Sequence, residues 1–542
     1  MSNVPAKAKD ELILAQLGYK QEFKRDFGIL ELFGVAFSIQ GVLPSIASVL
    51  VYSIPYGGAV NMVWGWAVCS IFLMFIATAI AELGSAAPTS GGVYYWTFHF
   101  SSPRFRNYLS WLLGYIDTMS YIVGIAGINW GCAVQIMAAA SIGSDMSFEA
   151  NVFQTYGAFV AITISQAIFC SFATKIIARL QSVYILMNIG LCFAVIFGMP
   201  ANTPLEFKND AKYGFGSFQN LSSWPDGFAF IIGFLAPLWV VGGFDSTVHI
   251  SEEARNASTA IPWAVMLSTA ATCILGWGIN VSLAFNMGTD VEGILSNPIG
   301  QPLATIFFNG FGQRGTLGIW SALIIAQFMM GTSGVSRIIW LSSNSSRDID
   351  VPQLVSSSRQ IFAFSRDGAL PFSKYLYYVN ESLSVPTHCV WFTAIIAILL
   401  GLIPLAGNAA SGAIFAMAVV GQYICYSTAI TARWVGGTAF KKGPFHMGVL
   451  SFPISLCAVL FMSFMCVILL FPAEPGQVGP ATMNYTVLVI GSVMLLSTAY
   501  YFFPVYGGIH WFKGPVMTTT EDLADSRSIL EKNIIAESVG LA

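Results

Sequence analysis

Stretches of about twenty apolar residues recur through this chain almost to its end. The hydrocarbon core of a bilayer is about 30 Å thick and a helix rises about 1.5 Å per residue, so roughly 20 apolar residues cross it once. Twelve such runs are present: Leu30–Ser53, Ala59–Leu83, Tyr108–Ala140, Val152–Phe172, Leu180–Met199, Gly227–His249, Trp263–Phe285, Thr316–Gly334, Thr387–Leu405, Ser411–Trp434, Val449–Phe471 and Tyr485–Tyr506. Of the 542 residues 55% are hydrophobic and only 9% are charged, whereas a soluble domain carries about 25% charged residues. A chain this apolar cannot cover itself with polar surface, so its solvent is lipid. The expected fold class is an all-α polytopic membrane protein of twelve transmembrane helices. The third run exceeds one crossing and is expected to tilt or to extend beyond the bilayer.

Charge tests that count. If the chain begins in the cytoplasm, Lys and Arg should gather in alternate loops. On that assignment 21 of the 24 Lys and Arg fall on the cytoplasmic side, and only Lys208, Lys212 and Arg314 fall opposite. A missed or extra helix would scramble this split, so both termini are expected in the cytoplasm. The expected organisation is a cytoplasmic tail (1–27), helices 1–5 (28–200), a non-cytoplasmic loop (201–226), helices 6–10 (227–434), helices 11–12 (435–510) and a second cytoplasmic tail (511–542). The polar start, MSNVPAKAKDELILAQLGYKQEFKRDFG, holds no cleavable signal core, so the first run is expected to act as the membrane signal. Two glycosylation sequons, at Asn220 and Asn484, fall on the non-cytoplasmic side, although such triplets are frequent by chance. A net charge of −3 argues against nucleic-acid binding. The nine cysteines form no CxxC and lie almost entirely in apolar runs, so neither a metal site nor a disulfide framework is expected. No cofactor motif is present.

Twelve helices without a soluble domain point to a transporter. Carriers built from inverted repeats bind substrate where two helices are broken near the membrane midplane, at matching places in the two halves. The first run reads FGVAFSIQGVLPSIASVL, with Gly34, Gly41 and Pro44; the sixth reads FAFIIGFLAPLWVVGGFDSTVHISEE, with Gly233, Pro237, Gly242 and Gly243. Pro removes an amide donor and clashes with the preceding turn, and Gly leaves helical angles at little cost. The five-helix spacing between these segments is what a five-plus-five repeat requires. Freed amides suit a carboxylate and freed carbonyls suit an ammonium or a cation.

Other polar groups sit within the runs. An acid at membrane depth is costly and usually functional; Asp117 is expected to take up a coupling proton or to bind a substrate amine, the bland alternative being bonds to nearby hydroxyls. Asp245 follows the sixth-run break and is expected to serve structure or gating. Gln40 and Asn188 are candidates to line the site or to act as interhelical glue. Trp239, beside the break, is a candidate gate or packing residue. Pro88, Gly91 and Gly92 exclude a regular helix across APTSGGVYYW (Ala87–Trp96). Glu252 and Glu253 are expected to pair with basic cytoplasmic loops as a lock, or else to form a solvated acidic face. The five histidines are scattered at run ends, and no metalloprotease or catalytic cluster appears, so an enzyme is not expected.

Three segments carry a family likeness: PTSGGVYYW, GGFDSTVHISEEARNASTAIPWAV and SRQIFAFSRDGALPF. Together with VLPSIAS (Val42–Ser48) they resemble the amino acid–polyamine–organocation superfamily. More narrowly they resemble its fungal amino acid/choline transporter branch, the GABA, choline and related amine permeases. The likeness runs from Phe23 to Pro515. It implies a five-plus-five inverted-repeat core with discontinuous helices 1 and 6, two extra helices, and uptake of a small amino acid or amine driven by a cation, the proton first. It implies a plasma-membrane location, with the vacuolar membrane as alternative. Carried onto this sequence, the substrate cradle maps to Gln40, Gly41, Val42, Pro44 and Ser45 in helix 1, and to Trp239, Val240, Gly242, Gly243 and Phe244 in helix 6. Asp117, Asn188, Asp245, Glu252 and Glu253 are the coupling or gating candidates. Some proton-coupled bacterial relatives place a lysine in helix 5; here that position holds Asn188, which leaves the coupling ion open. A choline or polyamine permease is the alternative within the class. Such a substrate would want an aromatic cage, for which Trp130, Trp239 and Tyr115 are candidates. A non-transporting nutrient sensor is the alternative outside it.

One segment breaks the pattern. After Gly334 the likeness is interrupted by VSRIIWLSSNSSRDIDVPQ, the nineteen residues Val335–Gln353. Removing them joins AQFMMGTSG to LVSSSRQIFAFSRDGALPF, which restores the family's pattern. The segment begins Val-Ser, encodable by GTGAGT, and ends in Gln, encodable by CAG. It is expected to be a translated intron rather than part of the protein.

Overall fold

The computed structural model describes residues 6–18, 25, 27–172, 174–333, 361, 364–365, 367–370, 373–376, 387–476, 479 and 483–515. The suspected intron, Val335–Gln353, lies outside the described residues, and so does the chain after residue 515. The described residues are almost wholly helical. Their only β-type pairings are two isolated bridges, Phe27 with Ala254 and Tyr56 with Asn220.

Among the described residues ten helices are long and apolar enough to cross a membrane, and two shorter apolar ones, Asp226–Val240 and Tyr485–Tyr501, bring the total to the expected twelve. In chain order they are α1a (Ile29–Gln40) and α1b (Val42–Val49), α2 (Trp66–Ala86), α3 (Arg106–Gly143), α4 (Val152–Phe172), α5 (Thr174–Asn202), α6a (Asp226–Val240) and α6b (Ser246–His249). Then follow α7 (Ala257–Asn286), α8 (Pro302–Ser333), α9 (Thr387–Leu400), α10 (Asn408–Val435), α11 (Ser451–Ile468) and α12 (Tyr485–Tyr501).

Local chemistry explains the breaks. A proline ring collides with the carbonyl four residues earlier. For Pro44 that carbonyl belongs to Gln40, and α1a ends there. Gly41 turns into the left-handed region (φ 45°, ψ 68°) and α1b begins at Val42. The freed Gln40 carbonyl accepts the Ser45 hydroxyl at 2.7 Å. Pro44 itself falls within the first turn of α1b, where its missing amide costs nothing. Pro237 acts in the same way on Gly233, where α6a is interrupted between Ile232 and Leu235. The second interruption, between Val240 and Ser246, is made by the glycine pair, with Gly243 at φ 75°.

Burial sorts the helices into inner and outer ones. The most apolar window of α1 is 89% buried and that of α10 78%, whereas those of α4 and α5 are only 33% buried, so α4 and α5 face lipid and α1 and α10 form the interior. Exposed Phe153, Leu186 and Phe197 form part of that lipid-facing surface. α3, 38 residues or about 57 Å long, is the central post: α1b, α4, α8, α9, α10 and α12 all pack on it.

Two expectations need adjustment. The eighth run, expected from Thr316, is preceded within Pro302–Ser333 by a further helix, the two meeting at the non-helical Gly312 (φ 67°, ψ 177°). The polar stretch NGFGQRG disguised a kinked helix as a loop. The irregular backbone expected across Ala87–Trp96 is confined to Ala87–Gly91, and a helix resumes over Gly92–Phe100. Gly92 enters that helix at φ 48°, and a Cβ there would lie 2.9 Å from the His249 ring.

Candidate functional site

The break of α6 opens onto a cavity of about 90 Å³, and α1a reaches it through Ile39, next to its own break. Five helices contribute to its wall: Ile39 from α1a; Ser120, Tyr121 and Gly124 from α3; Trp239, Gly242 and Gly243 from the α6 break; Met330 and Gly331 from α8; Gln422 from α10. No charged side chain is among the lining residues. Polar groups are few: the Tyr121 and Ser120 hydroxyls, the Gln422 amide and the backbone of the break. A small polar solute in such a chamber must satisfy its charges largely on main-chain amides and carbonyls.

Of the residues expected in the cradle, Trp239, Gly242 and Gly243 line the cavity. Gln40, Gly41, Val42, Pro44, Ser45, Val240 and Phe244 are buried around it without lining it. The Gln40 side chain is turned to α7, where its Oε1 accepts the Thr272 hydroxyl at 2.6 Å. Gly41 packs against α8; a Cβ there would lie 2.7 Å from Met330 Sδ. Ser45 and Gly41 thus build the break, and their neighbours Ile39 and Met330 line the cavity.

Trp239 stands edge-on to Phe415 of α10, ring centres 4.8 Å apart and planes at 90°. Phe415 in turn meets Tyr52, 5.5 Å away. Beyond this column lies a second cavity of about 250 Å³, lined among others by Tyr52, Leu235, Gly412, Ala413 and Asn484. The three rings stand between the two chambers, and Trp239 packs on Phe415 there. Trp130 and Tyr115 do not share that chamber. Trp130 packs on Phe159, and the Tyr115 hydroxyl donates to the Ala369 carbonyl at 2.7 Å.

Asp117 is fully buried, and neither of its carboxylate oxygens has a hydrogen-bond partner among the described residues. The alternative that nearby hydroxyls satisfy it is not what the structure contains. Asp245 accepts the Tyr121 hydroxyl at 2.7 Å. His249 Nε2 lies 3.8 Å from the same carboxylate oxygen. Asn188 is equally buried, with both polar side-chain atoms unpartnered among the described residues. Glu252 accepts the Ser90 amide at 3.2 Å and also the Ser90 hydroxyl. Glu253 offers its carbonyl to the Phe27 amide at 3.1 Å. The segment they share is tied to the N-terminus: Arg25 donates to the Ala254 carbonyl at 2.8 Å, and Asp10 accepts the Asn256 amide at 2.7 Å. Burial lowers the Arg25 pKa, a trend that neighbouring Asp10 and Glu252 oppose.

Sequence reasoning passed over Tyr121, His249 and Gln422. Two of them carried a usable signal. Tyr121 lies one helical turn from Asp117 and faces the same way, and an amide such as Gln422 inside an apolar run is subject to the same cost argument as an acid.

A helix bundle whose two broken helices flank a small chamber without charged side chains has the build of a membrane carrier. The sequence profile of the amino acid permease family matches residues 27–348 and 351–493, with its interruption inside Val335–Gln353. The chain belongs to that family. It is 35% identical over 524 residues to a Schizosaccharomyces pombe amino-acid permease described as uncharacterized, covering 96% of this chain and 92% of that one. It is 33% identical to the GABA-specific permease of Saccharomyces cerevisiae, covering 95% and 87%. It is 32% identical to Amino-acid permease 2 of Neurospora crassa, covering 93% and 88%. The protein is therefore a multi-pass membrane permease for amino acids or related amines, and not an enzyme.

Proposed function

We propose that this permease is a secondary active transporter that carries a small amino acid, GABA or a close analogue into the cytoplasm by alternating access, with a proton as coupling cation. The observation that carries the reading is the small chamber beside the two breaks, bounded on one side by the Tyr52–Phe415–Trp239 column and lined by apolar side chains, four glycines and a few neutral polar groups, with no charged side chain. A zwitterion brings both charges needed to use freed amides and freed carbonyls together. A choline-like cation would draw on an aromatic cage, and among the described residues only Trp239 and Tyr121 put aromatic rings on the chamber. The GABA specificity in the name of one relative supports the same substrate class. The charge split of the loops supports cytoplasmic termini, and the plasma membrane is the proposed location.

The test is uptake of labelled GABA, choline and a mixed amino-acid panel in permease-deficient yeast, with and without a proton uncoupler. Uncoupler-sensitive uptake of GABA or an amino acid is expected. Preferential choline uptake would overturn the substrate class. A lack of uptake of every panel member at normal surface expression would favour a sensor.

A further inference from the structure

The cluster beside the chamber has a charge imbalance that the transport reading does not yet use. His249 Nδ1 lies 2.9 Å from the Ser90 carbonyl. A carbonyl only accepts, so Nδ1 carries a hydrogen, and Nε2, facing Asp245, is the ring atom free to gain or lose a proton. Asp245 is already engaged by the Tyr121 hydroxyl. Asp117 is fully buried and its carboxylate has no hydrogen-bond partner among the described residues; its electrostatic neighbours are His249 and Asp245. The other titratable groups facing these three are Tyr121 on α3 and Tyr426 and Cys425 on α10. α1a and α7, which also pack on α6b, bring no charged side chain to the cluster, and no lysine or arginine among the described residues pairs with either carboxylate. Two carboxylates and an imidazolium leave one uncompensated negative charge out of water, a costly state. One more proton makes the set neutral, and Asp117 is the group with both oxygens open to receive it.

We infer that Asp117, Asp245 and His249 form a single proton-binding site that exchanges one proton and reports its occupancy to the substrate chamber through Tyr121. The connection is physical at both ends. Tyr121 lines the chamber and donates to Asp245; Gly242 and Gly243 line it too and lead within two residues to Asp245. On the other side His249 reaches the Ser90 carbonyl, and Ser90 in turn holds Glu252 in the loop after α6b. A proton on Asp117 removes its repulsion for Asp245 and lets α6b rest on α3. Its loss sets two like charges against each other across that contact, just where the glycine pair allows α6b to move. The site is thus the point where proton release and rearrangement of the break become one event.

The inference rests on the permease reading, and two separable measurements test it on the full-length protein. In detergent, infrared difference spectra recorded as a function of pH should show a protonated-carboxyl band that Asp117→Asn removes, with or without transport activity. In liposomes, with labelled GABA or the panel member that the wild type carries, one coupled proton under a gradient of one pH unit supports about tenfold accumulation. Asp117→Asn should lose accumulation while eluting from a sizing column in detergent as the folded wild type does, and His249→Gln should shift the pH profile. Wild-type accumulation and an unchanged pH profile in both variants would overturn the site, as would a carboxyl band that survives Asp117→Asn. If the wild type exchanges no panel member, the permease reading fails, and the infrared titration still decides the proton site.

Discussion

Gly41→Ala is the most direct test of the broken first helix. Gly41 sits at φ 45°, where an L-residue with a Cβ costs about 1–2 kcal/mol. The new methyl would also lie 2.7 Å from Met330 Sδ. Methionine is flexible, so it yields by leaving its preferred rotamer, at about 0.5–1.5 kcal/mol. The two terms sum to about 1.5–3.5 kcal/mol, which lowers the equilibrium constant for the native break about 10- to 300-fold at 1.4 kcal/mol per decade. The assay is the initial rate of labelled substrate uptake, normalised to surface protein, and it should fall by a factor in that range. Gly190→Ala is the control. That residue is in the regular part of α5 with open space around it, and alanine should stabilise the helix by about 0.5–1 kcal/mol without changing uptake. A double-mutant cycle with Met330→Ala isolates the steric term, since the backbone term persists in the double variant. Uptake by Gly41→Ala within twofold of wild type would refute the argument that the left-handed residue is what holds the break.

Three further outcomes follow from other parts of the molecule. Trp239→Ala removes about 0.5–1.5 kcal/mol of ring pairing with Phe415 and joins the two chambers; preloaded label should leak faster, and Trp239→Phe should leak less. Arg433 Nη1 contacts Glu82 Oε2 at 2.5 Å with both side chains buried, and Ser451 bonds to each. Arg433→Ala should therefore cost about 3–5 kcal/mol, seen as early thermal aggregation in detergent, and the pair Glu82→Gln with Arg433→Met should recover much of the loss. Transcripts sequenced across Val335–Gln353 should predominantly lack these codons; messages that mostly retain them would establish the segment as part of the protein.

The spans were readable because lipid imposes a length on every crossing, and the break positions because a proline acts on the carbonyl four residues before it. Both are local rules, and Pro44 with Gln40 and Pro237 with Gly233 obey them. The α8 kink was missed because one glycine in a polar stretch does not announce that helix continues on both sides. The cradle was only partly readable. The break residues were correctly located, yet Gly41 and Ser45 shape the break whereas Ile39, Met330 and Gln422 form the wall.

What the sequence determined by itself was the solvent, the number of crossings, the two breaks and the family. What only the tertiary structure decided was which polar groups meet: Tyr121 with Asp245, His249 with Ser90, Trp239 with Phe415. The physical reason is that a helix buried in lipid and protein is apolar on nearly every face, so its pattern does not reveal which side turns inward. Partners more than a hundred residues apart are brought together by the packing of α3, α6 and α10, and that packing is set by the whole bundle at once.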